Sequence, residues 1–391
     1  MPARIFVVAG EESGDQLGAR LMQALSRRLA PDGVTFTGVG GRAMEAEGLK
    51  SLFPMSDIAV MGFAAVIARL PTLINRIKTT ADAIIAQRPD MVVIIDSPDF
   101  THRVARRVKA ALPDLPVVDY VSPTVWAWRP GRARKMRSYV DHVLALLPFE
   151  PAAHARLGGP PCTYVGHPLI ERLDALRPGP GERSEPPYND RPPTVLVLPG
   201  SRRSEVTRLM PVLGETVAAV SARLSGHVQW VLPAVPHVAP LIEQGLASWP
   251  IRPTVVSGEE AKYAAFRSAT AALAASGTVT LELALARIPT VVAYKVSRLE
   301  VQVRHFIIVE HASLPNIILD EPAVPEFLQW NCTVDNLAGA LLPLMSASPE
   351  RAAQLAAFDR VEAAMSIGAS RPSDRAAEVI TDELRVRRLP V

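Results

Sequence analysis

Short apolar runs separated by helix-length segments recur along the whole chain, and this alternation constrains its fold more than any other feature. The runs lie at 5–9, 34–39, 91–95, 117–121 and 143–147 in the first half, and at 195–198, 228–232, 254–256, 271–275 and 291–294 in the second. Most are rich in β-branched residues and are followed by Gly, Ser, Pro or Asp. That is the pattern of strands in a parallel sheet covered on both faces. Between them, segments such as 16–29 and 72–86 repeat apolar residues at helical spacing. Strand and helix alternate throughout, which predicts an α/β fold of two Rossmann-like, doubly wound domains facing a cleft between the carboxyl edges of their sheets.

A chain of 391 residues is too long for one ordinary core, and 48% hydrophobic against 21% charged residues is the composition of a folded protein. The expected division is a first domain over 1–170, a linker or mobile loop over 171–193, and a second domain over 194–349. The linker rests on six prolines between 174 and 193. The tail at 350–391 is expected to be helical and to pack on the first domain or on a partner subunit. Net charge is only +3, with 42 Lys and Arg against 39 Asp and Glu, which argues against a nucleic-acid partner. Cys162 and Cys332 form no CxxC pair, so neither a disulfide framework nor a zinc site is expected, and a reducing cytoplasm fits. The run at 5–9 is too short for a signal sequence, and no run approaches the roughly 18 apolar residues of a membrane span.

Four glycine-rich turns follow strands. VAGEESGD, at 8–15, offers Gly10, Glu11, Ser13, Gly14 and Asp15 as candidate substrate contacts, with Gly10 and Gly14 for close backbone approach and Ser13 or Asp15 able to cap a helix opening at Gln16. It lacks the Gly-Lys-Ser/Thr of a phosphate-binding P-loop. GVGGRA, at 38–43, fits the spacing of a dinucleotide fingerprint but follows the second strand, and Asp57 sits in a loop, so NAD is not expected. LPGSRRSEV, at 198–206, sets the backbone amides of Gly200 and Ser201 beside the Arg202 guanidinium. That set suits a diphosphate, and a capped turn with solvated arginines is the alternative. In SGTVTLE, Ser276, Gly277 and Thr278 cap a helix whose dipole favours phosphate. Glu282 lies four residues past Thr278 on the same face, where it suits either both ribose hydroxyls as acceptor or a plain surface position.

Asp96, at the end of a strongly apolar strand in IDSPDF, is a candidate general base, and Asp99 a candidate helix cap. With no Asp-x-Asp pair, neither a metal nor another cofactor is expected. His167 reads as structural. In GFAAVIARLPTLINRIK, at 62–78, Phe63, Val66, Ile67, Leu70, Leu73 and Ile74 form an apolar stripe that Pro71 interrupts, suggesting a kink or two helices. It suits either a core-facing helix or one lying on an anionic membrane surface. In YVSPTVWAWRPGRARKMRSYV, Trp126 and Trp128 precede Arg129, Arg132, Arg134, Lys135 and Arg137. The segment suits a single-stranded nucleic acid, a phosphate and sugar, or solvent.

Taken in order, VAGEESGD, GVGG, AVMGF, IDSPDF, YVSPTVWAWR, LPFEP, YVGHP, LPGSR, SGTVTLE and SLPN resemble the lipid-A-disaccharide synthase family. The resemblance implies an inverting GT-B glycosyltransferase that joins UDP-2,3-diacylglucosamine to 2,3-diacylglucosamine 1-phosphate (lipid X). The products are a β-1,6-linked disaccharide and UDP. It implies Asp96 as general base, Arg202 at the UDP site, Asn316 in the active site, and the apolar stripe as the acyl and membrane face. It also implies a cytoplasmic enzyme peripheral on the inner face of the inner membrane, and a possible homodimer exchanging C-terminal segments. A Trp126 or Trp128 ring would then line the substrate site, with Arg129 meeting the acceptor phosphate. The competing readings are a UDP-sugar 2-epimerase of the same fold and an RNA-binding protein.

Overall fold

The computed structural model describes residues 2–30, 32–59, 69–188, 191–225, 227–296 and 309–388. The chain divides into two compact units, one formed by Met1–Pro168 with Ile367–Val391 and the other by Leu169–Ser366.

The first unit begins with β1 (Ala3–Ala9), α1 (Glu12–Arg28), β2 (Val34–Val39), α2 (Arg42–Ala46) and α3 (Leu70–Gln87). It continues through β3 (Met91–Ile95), α4 (Pro98–Ala111), β4 (Val117–Tyr120), α5 (Gly131–Met136), β5 (His142–Ala145), α6 (Glu150–Leu157) and β6 (Cys162–Tyr164). Its strands are all parallel, in the order β2-β1-β3-β4-β5-β6. The period of two along β1 decides which side chain serves which layer. Ile5, Val7 and Ala9 join the core beneath α1, whereas Phe6 and Val8 join the core on the opposite face with Ile84, Ile94 and Val104.

The second unit holds α7 (Leu173–Leu176), β7 (Thr194–Leu198), α8 (Arg203–Arg223), β8 (Gln229–Ala234), α9 (Ala239–Leu246), β9 (Thr254–Ser257) and α10 (Glu259–Ser268). There follow β10 (Ala269–Ala275), α11 (Thr278–Leu285), β11 (Thr290–Tyr294), α12 (Leu314–Leu319), β12 (Glu326–Leu328), α13 (Val334–Leu344) and α14 (Pro349–Met365). The order is β12-β11-β10-β7-β8-β9, again parallel, with Val195 and Val197 on one face and Leu196 and Leu198 on the other. Among the described residues no helix is long and apolar enough to cross a membrane.

Each strand order reverses direction once: between β1 and β3 in the first unit and between β7 and β10 in the second. Open α/β sheets bind ligands outside the carboxyl ends of the strands at such a switch point. The loops at 10–11 and 96–97 therefore form one candidate site, and those at 199–202 and 276–277 another.

Two expectations change. Over its described residues, 171–188 and 191–193, the expected linker is neither a linker nor a loose loop: Leu176 is buried in the second unit's core, and Arg183 donates to the carbonyls of Phe266, Ala286 and Arg287 at 3.1, 3.0 and 2.8 Å. An arginine that satisfies the open carbonyl ends of α10 and α11 holds a strap its prolines do not need to pack. The tail divides at 366/367. Helix α14 stays with the second unit, where Arg351 donates to Thr270 and Leu344 carbonyls, while α15 (Pro372–Arg388) covers α1 in the first. Ile380 and Leu384 complete that core, and Arg27 meets Asp374 at 2.7 Å. Of the kink and the two helices that Pro71 allowed, the described residues show no kink: Pro71 lies in the first turn of α3, where its missing N–H costs nothing, and starts that helix.

Candidate functional site

At the first switch point Ala9 and Ile95 are the last paired residues, and the chain turns sharply at Asp96 and Ser97 with φ of 52° and 46°. Two consecutive left-handed residues are costly, and such strain collects at functional sites. The turn is held because Asp96 N donates to Tyr120 O at 3.1 Å and Thr101 Oγ1 donates to Asp96 O at 2.7 Å. Gly10 permits it: a Cβ there would come within 2.5 Å of Ser97 Oγ. Ser97 N donates to Asp96 Oδ1 at 2.8 Å, lowering the carboxyl's pKa, but burial outweighs it and raises the pKa above the ordinary value, with Asp119 adding to the rise. Asp119 is buried one strand over, paired with His102 at 2.9 Å. Asp96 is thus a partly desolvated carboxylate at a strand end, suited to accept a proton.

The rest of this loop is partly structural. Asp15 is buried, and its carboxylate accepts from the amides of Gly41, Ala43 and Met44 at 2.7, 2.9 and 3.1 Å. It caps α2, not the helix that follows it, and offers nothing to a substrate. Gly14 packs against Ala9 and Ile95. Glu11 and Ser13 remain exposed at the start of α1, which opens at Glu12 rather than Gln16. The fingerprint-like GVGGRA is a packing turn, since a Cβ on Gly38 would strike Val7 O at 1.8 Å. Asp57 is paired with Arg76 at 2.7 Å.

Trp126 is the inward-facing ring of the aromatic pair. The segment is a turn, with Trp128 N donating to Thr124 O at 2.9 Å. The Trp126 indole is buried, meets Phe149 edge-on at 5.0 Å, and donates Nε1–H to Glu150 Oε1 at 3.0 Å. Trp126 therefore anchors the loop instead of lining a site, and Arg129 lies exposed with its guanidinium over Trp128 at 5.0 Å. Glu150 also accepts from the amides of Leu146 and Leu147 at 3.1 and 2.9 Å. Burial pushes its pKa from 4.5 up to about 7 against those donors. A raised carboxyl pKa costs stability progressively as pH rises from the unfolded value to the folded one. Thermal melts of the wild type should therefore decline between pH 4.5 and about 7. Glu150→Ala should remove that slope and, by orphaning buried donors, lower stability by about 3 kcal/mol.

At the second switch point the structure alters the phosphate reading. Gly200 takes φ 107°, and Glu205 fills the turn, accepting from Ser201 N and Arg202 N at 3.1 and 3.2 Å. The Ser201 amide is consequently not open to a diphosphate. What the loop offers is the Arg202 side chain, 73% exposed and tethered through Nη1 to Glu205 Oε1 at 3.1 Å. His237, which no local pattern signals, approaches Ser201 O at 2.7 Å.

Beside it, Ser276 Oγ donates to Ala312 O at 2.6 Å, so this hydroxyl ties two loops together. Gly277, at φ 152°, has open space where a Cβ would stand, and the first amides of α11 lack intrahelical acceptors. Glu282 is paired with Lys262 of α10 at 2.5 Å. Asn316 is 1% exposed and fully used internally, donating to Val324 O and Glu326 Oε1 at 2.9 and 2.8 Å and accepting from Val324 N at 2.7 Å. It braces the loop with Glu326, which also takes the amides of Ala312 and Ser313, and is not a surface ligand.

A family model described as lipid-A-disaccharide synthetase matches residues 5–380. A lipid-A-disaccharide synthase of Nitrobacter hamburgensis is 55% identical over 388 residues, covering 99% of this chain and 97% of the relative. The chain belongs to the lipid-A-disaccharide synthase family. Solved structures report on the fold alone. The glycosyltransferase of kitacinnamycin aligns with a TM-score of 0.60 at 16% identity over 100% of both chains. A UDP-GlcNAc 2-epimerase from Neisseria meningitidis, bound to UDP-GlcNAc, aligns at 0.58 and 12% identity, over 99% of this chain and 100% of that one. The fold is thus that of GT-B glycosyltransferases and of epimerases alike, and family membership favours transfer over epimerisation.

The stripe that the lipid-A-disaccharide synthase resemblance assigns to acyl chains is described only from Leu70 onward. Phe63, Val66 and Ile67 lie outside the described residues. Leu70 and Ile74 are 46% and 49% exposed, Leu73 is half-buried, and Ile77 turns into the core.

Proposed function

We propose that this glycosyltransferase of lipid A biosynthesis joins UDP-2,3-diacylglucosamine to 2,3-diacylglucosamine 1-phosphate. In this reading Asp96 takes the proton of the acceptor 6-hydroxyl as its oxygen attacks the anomeric carbon from the face opposite UDP. The bond from that carbon to the diphosphate breaks, and its electron pair leaves with UDP. Arg202 and the amides opening α11 meet the departing charge. Glu282 accepts from the ribose, and the exposed Glu11, Ser13 and Arg129 meet the acceptor, Arg129 its phosphate. The observation that carries the reading is Asp96: a carboxylate with a raised pKa, held in a strained turn at a sheet's switch point.

The exposed Leu70 and Ile74, with the cations from Arg129 to Arg137, support a peripheral position on an anionic membrane surface, the cytoplasmic face of the inner membrane. A homodimer exchanging C-terminal segments would swap α15, which covers α1. Incubation with the two acylated sugars should release UDP and give a disaccharide 1-phosphate of the summed mass less UDP. Conversion of the UDP-sugar to its 2-epimer without disaccharide would overturn the proposal.

A further inference from the structure

Lys262 carries an inference that the sequence does not suggest. It lies on α10, and its Nζ reaches across to Glu282 Oε2 on α11 at 2.5 Å. Its Nζ also lies over aromatic rings, 5.3 Å from the Phe266 centroid and 5.8 Å from that of Tyr263. Glu259, three residues before it on α10, is already engaged by Arg172 and by Tyr263 OH at 2.8 Å. Glu282 is only 14% exposed, so a counter-charge there both offsets its desolvation and selects one rotamer. Lys262 takes Oε2, and among the described residues no hydrogen bond reaches Oε1. One carboxylate oxygen has lone pairs enough to accept from two neighbouring hydroxyls.

We propose that Lys262 is a positioning residue for nucleotide recognition, holding Glu282 so that Oε1 meets the vicinal 2′- and 3′-hydroxyls of the ribose. The inference rests on reading this unit as the UDP site. Lys262 touches no substrate atom in this scheme and acts through Glu282.

Calorimetric titration with UDP and with 2′,3′-dideoxy-UDP tests it. Hydrogen bonds to a charged acceptor are strong enough that the wild type should prefer UDP by about tenfold. Lys262→Met keeps an unbranched apolar stem, and should bind UDP about tenfold more weakly while binding the dideoxy analogue within about twofold of wild type. Lys262→Arg should retain most of the preference. Thermal melts of both variants check that α10 and α11 stay packed. A Lys262→Met protein that keeps the wild-type preference, or that loses affinity for both ligands equally, overturns the inference and leaves the UDP site standing. A wild type that binds no UDP, or shows no preference for the ribose hydroxyls, overturns the site reading and this inference with it.

Discussion

Asp96→Asn is expected to lower turnover by about a thousandfold, within the range a general base contributes, while leaving affinity for UDP unchanged. The substitution is close to isosteric and removes only proton-accepting power. Asparagine tolerates the left-handed backbone that Asp96 adopts at φ 52°, and its side-chain oxygen can still accept from Ser97 N. The turn should therefore survive, and a loss of activity cannot be assigned to unfolding. The pH profile supplies a second readout. The base works only when deprotonated, so kcat/KM falls as pH drops through its pKa. Burial, reinforced by Asp119, raises that pKa, so the acid limb should begin above the ordinary aspartate range. Residual activity in Asp96→Asn should lack the limb. Turnover near wild type in this variant would remove Asp96 from the chemistry.

Which parts of this molecule could be read from sequence follows from the range over which each feature is encoded. A strand buried on both faces is apolar at most positions, so β3 (MVVII) and β7 (TVLVL, with Thr194 its one polar residue) announce themselves. The three-residue edge strands β6 (CTY) and β12 (EFL) are only half-buried and leave no such run. The loops after β1, β3, β7 and β10 are legible because a strand end followed by glycine or a small polar residue is a local pattern.

What those loops do with their polar groups is not local. Asp15 and the Gly41 amide are 26 residues apart, Trp126 and Glu150 are 24 apart, and Asn316 and Glu326 are 10 apart. Nothing near Asp15, Trp126 or Asn316 in the chain says that a distant partner has already claimed them. Glu205 is the instructive exception. It stands three residues past Arg202, at the spacing by which a helix carboxylate takes up the amides before it, so its competition for the Ser201 amide was open to inference. The Pro-rich strap, described over 171–188 and 191–193, misleads for another reason. Proline content describes the backbone, whereas Arg183 and Leu176 hold the segment through side chains.

Arg202→Ala should reduce kcat by about a hundredfold or more, the loss seen when one donor to a developing oxyanion is removed. Because Glu205 already holds the Ser201 and Arg202 amides, the loop presents the exposed Arg202 guanidinium rather than a ready-made amide cradle. That concentrates the loop's electrostatic contribution in the guanidinium. The negative charge on the diphosphate grows as the sugar bond breaks, so the interaction is stronger in the transition state than in the bound substrate and appears in kcat. UDP as product carries the same charge and should also bind more weakly. Stability should barely change, since the side chain is 73% exposed and the turn is kept by the Glu205 bonds to backbone. Arg202→Lys should recover only part of the rate, because an ammonium supplies charge without the planar fork that meets two phosphate oxygens. Steady-state kinetics with a saturating acceptor, beside thermal melts, separate these effects. A kcat within about threefold of wild type for Arg202→Ala would transfer the task to the amides opening α11, the other donors this unit holds at its switch point.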